Sequence, residues 1–222
     1  MGVREDKINW INPTPNFVKH ISNVEELRKF RQKFTGDENK VILFVGRLVE
    51  RKGVEYLIKS LAEIKTQKFH LMIAGNGGLL DDLVNLTNSL NLQDKVTFFV
   101  SPTQEDLGKL YDTSDVFVCP SIIDSKGETE GLGLVIPEAM ESGLPVIATS
   151  VGGIVDVVKN EENGILINQK DSKAITTAID RLLTDKELTE KIVNNSKKTI
   201  LEFDPIKISE KHFILFQNLL KN

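Results

Sequence analysis

The sequence predicts an α/β domain built on one open, doubly wound parallel sheet with helices flanking it. Three observations predict it. Short apolar runs alternate with longer segments of helical periodicity. The links between them are short, and many carry glycine. The run Val41–Val45 is also apolar throughout, as suits a strand covered on both faces. Strands that alternate with helices through short links are joined by right-handed crossovers and lie parallel. Ligands of such sheets bind beyond the carboxyl ends of the strands.

Residues 1–22 are polar, contain Pro13 and Pro15, and show no sustained periodicity, so they read as a linker-like segment with one short strand at Ile8–Ile11. Residues 23–34 predict a short helix. Asn23 caps it, Glu25 and Glu26 occupy its first turn, and Leu27, Phe30 and Phe34 fall at helical spacing. Val41–Val45 is the first buried strand, ending at Gly46-Arg47, and a helix follows from Gly53 to Ile64 with Val54, Leu57, Ile58, Leu61 and Ala62 as its apolar stripe. Phe69–Ala74 is the second strand. It stops at Gly75-Asn-Gly-Gly78 and leads to a helix carrying Leu79, Leu80, Leu83, Leu86 and Leu90. Val96–Val100 is a third strand, with a helix at Gln104–Asp112. Val116–Cys119 is a fourth, followed by the loop Pro120–Gly131. Pro137 lacks an N–H and has a fixed φ, so it suits only the first turn of the next helix, which places Glu138 there too. Leu144–Ala148 and Gly164–Ile167 complete the strands, and helices at Ser172–Leu183 and Lys186–Thr199 close the core. A last amphipathic helix after Pro205 carries Ile206, Ile208, Phe213, Phe216, Leu219 and Leu220. The strand-end segments Gly46-Arg47, Gly75–Gly78, Ser101-Pro102, Ser121–Glu130 and Thr149–Gly153 should line one edge of the sheet together, and residues before 23 and after 200 are the least needed by the core.

A chain of 222 residues, 40% hydrophobic and 27% charged, has the composition of an ordinary soluble globular protein. Its formal charge of -4 argues against general nucleic-acid binding, which needs a basic face, so any anionic ligand must be held locally. No apolar run approaches the ~18–20 residues of a membrane span, and the N-terminus lacks the apolar stretch of a signal peptide. The single Cys119 excludes an internal disulfide and reads as a buried structural thiol; a cytoplasmic setting fits. His20, His70 and His212 are scattered, so no metal site is expected.

The chemistry-bearing residues lie in the strand-end loops. Arg47 and Lys52 sit within Gly46-Arg-Leu-Val-Glu-Arg-Lys-Gly53, before a helix, where two cations suit a diphosphate. Lys52 taken alone reads as a solvated loop charge; Arg47, directly at a strand end after glycine, does not. Gly75-Asn-Gly-Gly78 matches a dinucleotide fingerprint only in part, because position 80 is leucine, and reads as a tight turn leaving room for a ligand or a facing domain. Glu130 and Glu138 could pair as a glycosidase acid and nucleophile. The glycines between them and the helix start favour a nucleotide ligand instead, with carboxylates accepting from ribose and sugar hydroxyls and backbone amides holding phosphate. The bland alternative is two surface glutamates.

These segments, with Ala74-Gly75-Asn-Gly77, Glu130-Gly-Leu-Gly-Leu, Glu138-Ala-Met, Gly143-Leu-Pro-Val and Gly152-Gly153, resemble the nucleotide-sugar-binding half of family-4 retaining glycosyltransferases of the GT-B fold. The match covers about residues 41–185 in order and spacing. The resemblance implies a single Rossmann-like donor-binding domain over 23–200, like the C-terminal half of such an enzyme. It implies that Arg47 and Lys52 bind the donor diphosphate and stabilise the leaving group, that Glu138 holds the ribose, and that Glu130 with the amides of Gly131, Leu132, Gly133 and Leu134, beside Gly46, contacts the transferred sugar and phosphates. It further implies a hexose donor, no metal or other cofactor, and front-face substitution with retention, in which the leaving phosphate deprotonates the acceptor. Val100 stands where the family commonly has glycine, near the nucleobase, which leaves the base open.

A GT-B enzyme has two Rossmann-like domains and this chain carries one. The resemblance therefore implies that 1–22 joins an absent N-terminal acceptor-binding domain, or a subunit replacing it, and that the helix in 201–222 packs on it. Any peripheral membrane contact would run through that absent part. Two other readings compete: a non-catalytic nucleotide-sugar-binding subunit paired with a separate acceptor protein, motivated by Phe213, Phe216 and Leu220, and a nicotinamide dehydrogenase, disfavoured by the incomplete glycine fingerprint.

Overall fold

The computed structural model describes residues 11–15, 20, 23–35, 39–64 and 68–220. The predicted strand at Ile8–Ile11 falls outside these residues except for Ile11, which is not in a strand. Six strands, β1 (Lys40–Val45), β2 (Phe69–Ala74), β3 (Val96–Phe99), β4 (Val116–Cys119), β5 (Val146–Thr149) and β6 (Ile165–Ile167), form one all-parallel sheet in the order β3-β2-β1-β4-β5-β6. The chain winds outward from β1 to β3, then returns to the other side of β1 at β4. The crevice beyond the ends of β1 and β4 is therefore the topological switch point, where such sheets bind ligands.

The helices are α1 (Val24–Phe34), α2 (Val54–Leu61), α3 (Leu80–Ser89), α4 (Gln104–Thr113), α5 (Val135–Glu141), α6 (Ile154–Val157), α7 (Ser172–Thr184), α8 (Lys186–Ile200) and α9 (Pro205–Leu220). The side chains of β1 alternate between two cores. Ile42 and Phe44 join Leu57 and Ile58 of α2 and Ile175 and Ile179 of α7, while Val41, Leu43 and Val45 join Leu110 and Tyr111 of α4 and Ile136, Ala139 and Met140 of α5. Both faces are covered, which is why Val41–Val45 reads as an unbroken apolar run. Local signals hold the ends: Asn23 caps α1, accepting from the N–H groups of Glu25 and Glu26, and Thr103 and Asp106 form a reciprocal capping box on α4.

Several details depart from the sequence expectation. Helix α2 stops at Leu61, and residues 62–64 form a looser turn. Glu50–Lys52 is a 3₁₀ turn, closed by Gly53 at a φ of 62°. Past residue 200 the chain makes a second 3₁₀ turn, Leu201–Phe203, whose Phe203 is buried with the residues of the second core, so the core extends beyond the predicted boundary. After that only Ile208 of α9 is buried, and Ile206, Phe213, Ile214, Phe216, Leu219 and Leu220 are exposed. Among the described residues no helix is long and apolar enough to cross a membrane.

Candidate active site

The strand-end loops interlock at the carboxyl edge of the sheet. The loop after β2 lies directly on the loop after β1: Leu48 N–H donates to the carbonyl of Asn76 at 2.9 Å and Leu79 N–H to that of Leu48 at 3.0 Å. A Cβ at Gly75, with its φ of 153°, would lie 1.9 Å from the carbonyl oxygen of Gly46, so this position admits no side chain. Across the sheet, a Cβ at Gly152 would lie 1.9 Å from the carbonyl oxygen of Glu130. The glycine pair after β5 therefore serves as the backing on which the Glu130 loop rests. Gly75–Gly78 is a tight turn, as its sequence suggests; the room at Gly75 and Gly77 is filled by the β1 loop, and the space beside Gly78 stays open.

The long segment from Pro120 to Gly131 is tied down from both sides. Glu50 accepts from the Ser125 N–H at 2.9 Å and its hydroxyl at 2.7 Å, Ile122 N–H donates to the carbonyl of Arg51 at 2.8 Å, and Gln169 Oε1 accepts from Ile123 N–H at 2.7 Å. The 3₁₀ turn that carries Lys52 thus also aims the loop that delivers Glu130. The two side chains meet as an ion pair between Lys52 Nζ and Glu130 Oε2, with only about a tenth of each side chain exposed. Lys52 as a solvated loop charge is thereby corrected: the turn folds it inward, where burial without a partner would be costly, and Glu130 supplies that partner.

These groups line one cavity of about 440 Å³, bounded by Pro13, Gly46, Arg47, Arg51, Lys52, Glu130, Leu132, Gly133, Leu134 and Val135. Of the residues predicted for the site, it brings together Gly46, Arg47, Lys52, Glu130, Leu132, Gly133 and Leu134. Gly131 and Glu138 lie outside the lining. Glu138 is in the first turn of α5, as Pro137 dictates, and its Oε2 accepts from the Tyr111 hydroxyl at 3.2 Å. Burial, then the Glu138 charge, pushes the Tyr111 phenol well above its usual range, so it stays a donor. Among the described residues the N–H groups of Leu132, Gly133 and Leu134 donate to no backbone carbonyl. Arg47 is exposed. Cys119, buried below the loop, lies 3.6 Å from the Ser121 hydroxyl, and burial pushes its thiol up, as a structural thiol requires.

Sequence reasoning missed Arg51, Pro13 and Val135 as cavity residues. Pro13 belongs to the segment read as a linker. The one available signal for Arg51 was its place beside Lys52 in the same strand-end loop.

Residues 25–199 match the family model described as glycosyl transferases group 1. An uncharacterized glycosyltransferase of Methanocaldococcus jannaschii is 39% identical over 203 residues, covering 89% of this chain and 50% of that protein. The crystal structure of Anabaena HepE in complex with UDP-glucose superposes with a TM-score of 0.78 at 25% identity, over 89% of this chain and 54% of that one. The C-terminal domain of the group 1 glycosyltransferase LpcC from Francisella tularensis superposes at 0.69 with 25% identity, over 86% of this chain and 97% of that domain. The chain spans about half the length of the curated relatives it matches. With its parallel sheet, its order of strands and its matched length, the chain belongs to the group 1 glycosyltransferases and has the fold of the C-terminal domain of their GT-B members.

Proposed function

We propose that this chain binds a nucleoside-diphosphate sugar as the donor half of a retaining, metal-independent, family-4 glycosyltransferase, and that it acts with an acceptor domain lying outside it. One observation carries the reading: Arg47, Lys52, Glu130 and the Gly133-Leu134 backbone converge on a single cavity at the switch point of the sheet. Arg47 and Lys52 bind the diphosphate and stabilise charge as it develops on the leaving group, which is where an electrostatic contribution to the rate is greatest. Glu130 and the amides around Gly131–Leu134 contact the transferred hexose and the phosphates, and Glu138, oriented by Tyr111, accepts from the ribose. Front-face attack, with the leaving phosphate taking the acceptor's proton, retains the anomeric configuration without a metal.

Relatives about twice as long, and a solved structure holding UDP-glucose, support a donor site completed from elsewhere. Residues 1–22 are the linker of this reading and 23–200 its donor-binding domain. The exposed row on α9, Phe213, Phe216 and Leu220, is the surface that the acceptor domain would cover. That same row favours a second reading, a non-catalytic donor-binding subunit that pairs with a separate acceptor protein.

Calorimetric titration with UDP, GDP and ADP sugars tests the donor site. One of the three should bind, and Arg47→Ala should weaken it roughly ten- to a hundredfold, the loss of a charged hydrogen bond. Binding by none of them, or binding indifferent to Arg47→Ala, overturns the reading.

A further inference from the structure

Two buried side-chain polar atoms among the described residues have no hydrogen-bond partner, Nη1 of Arg51 and Oγ1 of Thr129. Each directly precedes one member of the central ion pair, Lys52 or Glu130. Buried polar groups are almost always satisfied, and a charged donor left alone is the costlier of the two. Arg51 lines the same cavity as Arg47 and Lys52. Its main chain is fixed, because its carbonyl accepts from Ile122 N–H at 2.8 Å. The carboxylates beside it are engaged, Glu50 by Ser125 and Glu130 by Lys52.

Charge points the same way. The cavity is lined by three cations, Arg47, Arg51 and Lys52, against the single carboxylate of Glu130. The excess of two positive charges matches the diphosphate of a sugar nucleotide, which carries one negative charge on each phosphate. Without Arg51, and with Lys52 neutralised by Glu130, only Arg47 would face that diphosphate. A guanidinium also offers donors in the fork that phosphate oxygens accept.

We propose that Arg51 is a third phosphate-binding cation of this site, its guanidinium donating to a non-bridging oxygen of the donor diphosphate. This rests on the donor-binding reading above. It assigns to the turn Glu50–Lys52 two adjacent cations with different tasks: Lys52 is held by Glu130 until ligand arrives, and Arg51 waits unpaired for the phosphate.

The test is titration of the whole chain with UDP, GDP and ADP, followed for the best of them by its monophosphate and its nucleoside. Arg51→Gln and Arg51→Lys are compared with wild type after circular dichroism and thermal melting confirm folding. Arg51→Gln should weaken the diphosphate roughly ten- to a hundredfold and leave the nucleoside unchanged, with the loss growing with the number of phosphates. Arg51→Lys should recover part of it. Should Arg51→Gln not fold, Arg51→Lys carries the same phosphate series with a smaller loss. Unchanged diphosphate affinity, or equal weakening of nucleoside and diphosphate, overturns the proposal and leaves the donor reading standing. No binding of any diphosphate to wild type overturns both.

Discussion

Two cavities of this molecule make an instructive pair. The larger, about 600 Å³, runs along α9 between Pro205 and Ile214 and is walled mostly by apolar side chains, Ile206 and Phe213 among them. The smaller, about 440 Å³, lies at the sheet edge and gathers three cations and a carboxylate. Volume and apolarity alone would pick the first as a ligand site. The second is where backbone from distant parts of the chain is locked together: no side chain fits at Gly75 or Gly152, and the Lys52–Glu130 pair joins segments 78 residues apart. The α9 face has one buried anchor, Ile208, and a row of exposed apolar residues. A preorganised charged cleft suits a small anionic ligand, whereas a broad apolar face on a single helix suits another protein surface.

The sharpest way to break this contrast is at the backing of the cleft. Gly75→Ala forces a Cβ into the Gly46 carbonyl and should cost about 3 kcal/mol or more, whereas Gly78→Ala, with nothing within 4 Å of its added Cβ, should stay within about 0.5 kcal/mol. Urea denaturation of the two variants checks this, and equal midpoints would show that the loops are not locked.

Next in size is the ion pair. Lys52→Met leaves the Glu130 carboxylate partly buried and unpaired, which should cost about 1–3 kcal/mol, and adding Glu130→Gln should restore part of it. A double-mutant cycle without coupling would reduce the pair to a chance contact. On the other cavity, Phe213→Ser with Phe216→Ser should change the stability of the isolated chain by less than about 1 kcal/mol, because both side chains are mostly exposed. The same pair of substitutions should disrupt association with whatever covers α9, read out by sedimentation of the full-length protein.

The smallest expected effect concerns residue 20, which pairs with the last turns of two helices at the opposite, amino edge of the sheet. His20 Nδ1 lies 2.5 Å from Asp112 on α4 and its Nε2 lies 2.5 Å from Glu141 on α5. Burial pulls its pKa down, but the hydrogen bonds and charges of the two carboxylates outweigh burial and hold it above 6.5. A raised folded pKa means that this tether contributes fully below about pH 6.5 and is lost as pH rises through the folded value. With 39% of the imidazole exposed, the loss should stay below about 1 kcal/mol. NMR titration should place His20 above 6.5, and Asp112→Asn with Glu141→Gln should bring it below; an unshifted wild-type titration would remove the tether.

Much of the fold was legible because its signals are local. Val41–Val45 announces a buried strand by unbroken apolarity, Asn23 starts a helix through its own side chain, and Pro137 places Glu138 in a first turn. The boundary past residue 200 was not legible, since Phe203 owes its burial to the second core, assembled from distant parts of the chain.

The site divides in the same way. Sequence alone determined that Arg47, Lys52 and Glu130 sit in strand-end loops of a parallel sheet, because the alternation of strand and helix puts every such loop at one edge. Only the tertiary structure decided that Lys52 is buried against Glu130, that Arg51 shares their cavity with an unpaired nitrogen, and that Glu138 stands outside its lining with Tyr111. The physical reason is range: backbone propensity and apolar periodicity act over a few residues, whereas the burial and pairing of a charge depend on which distant loops close over it.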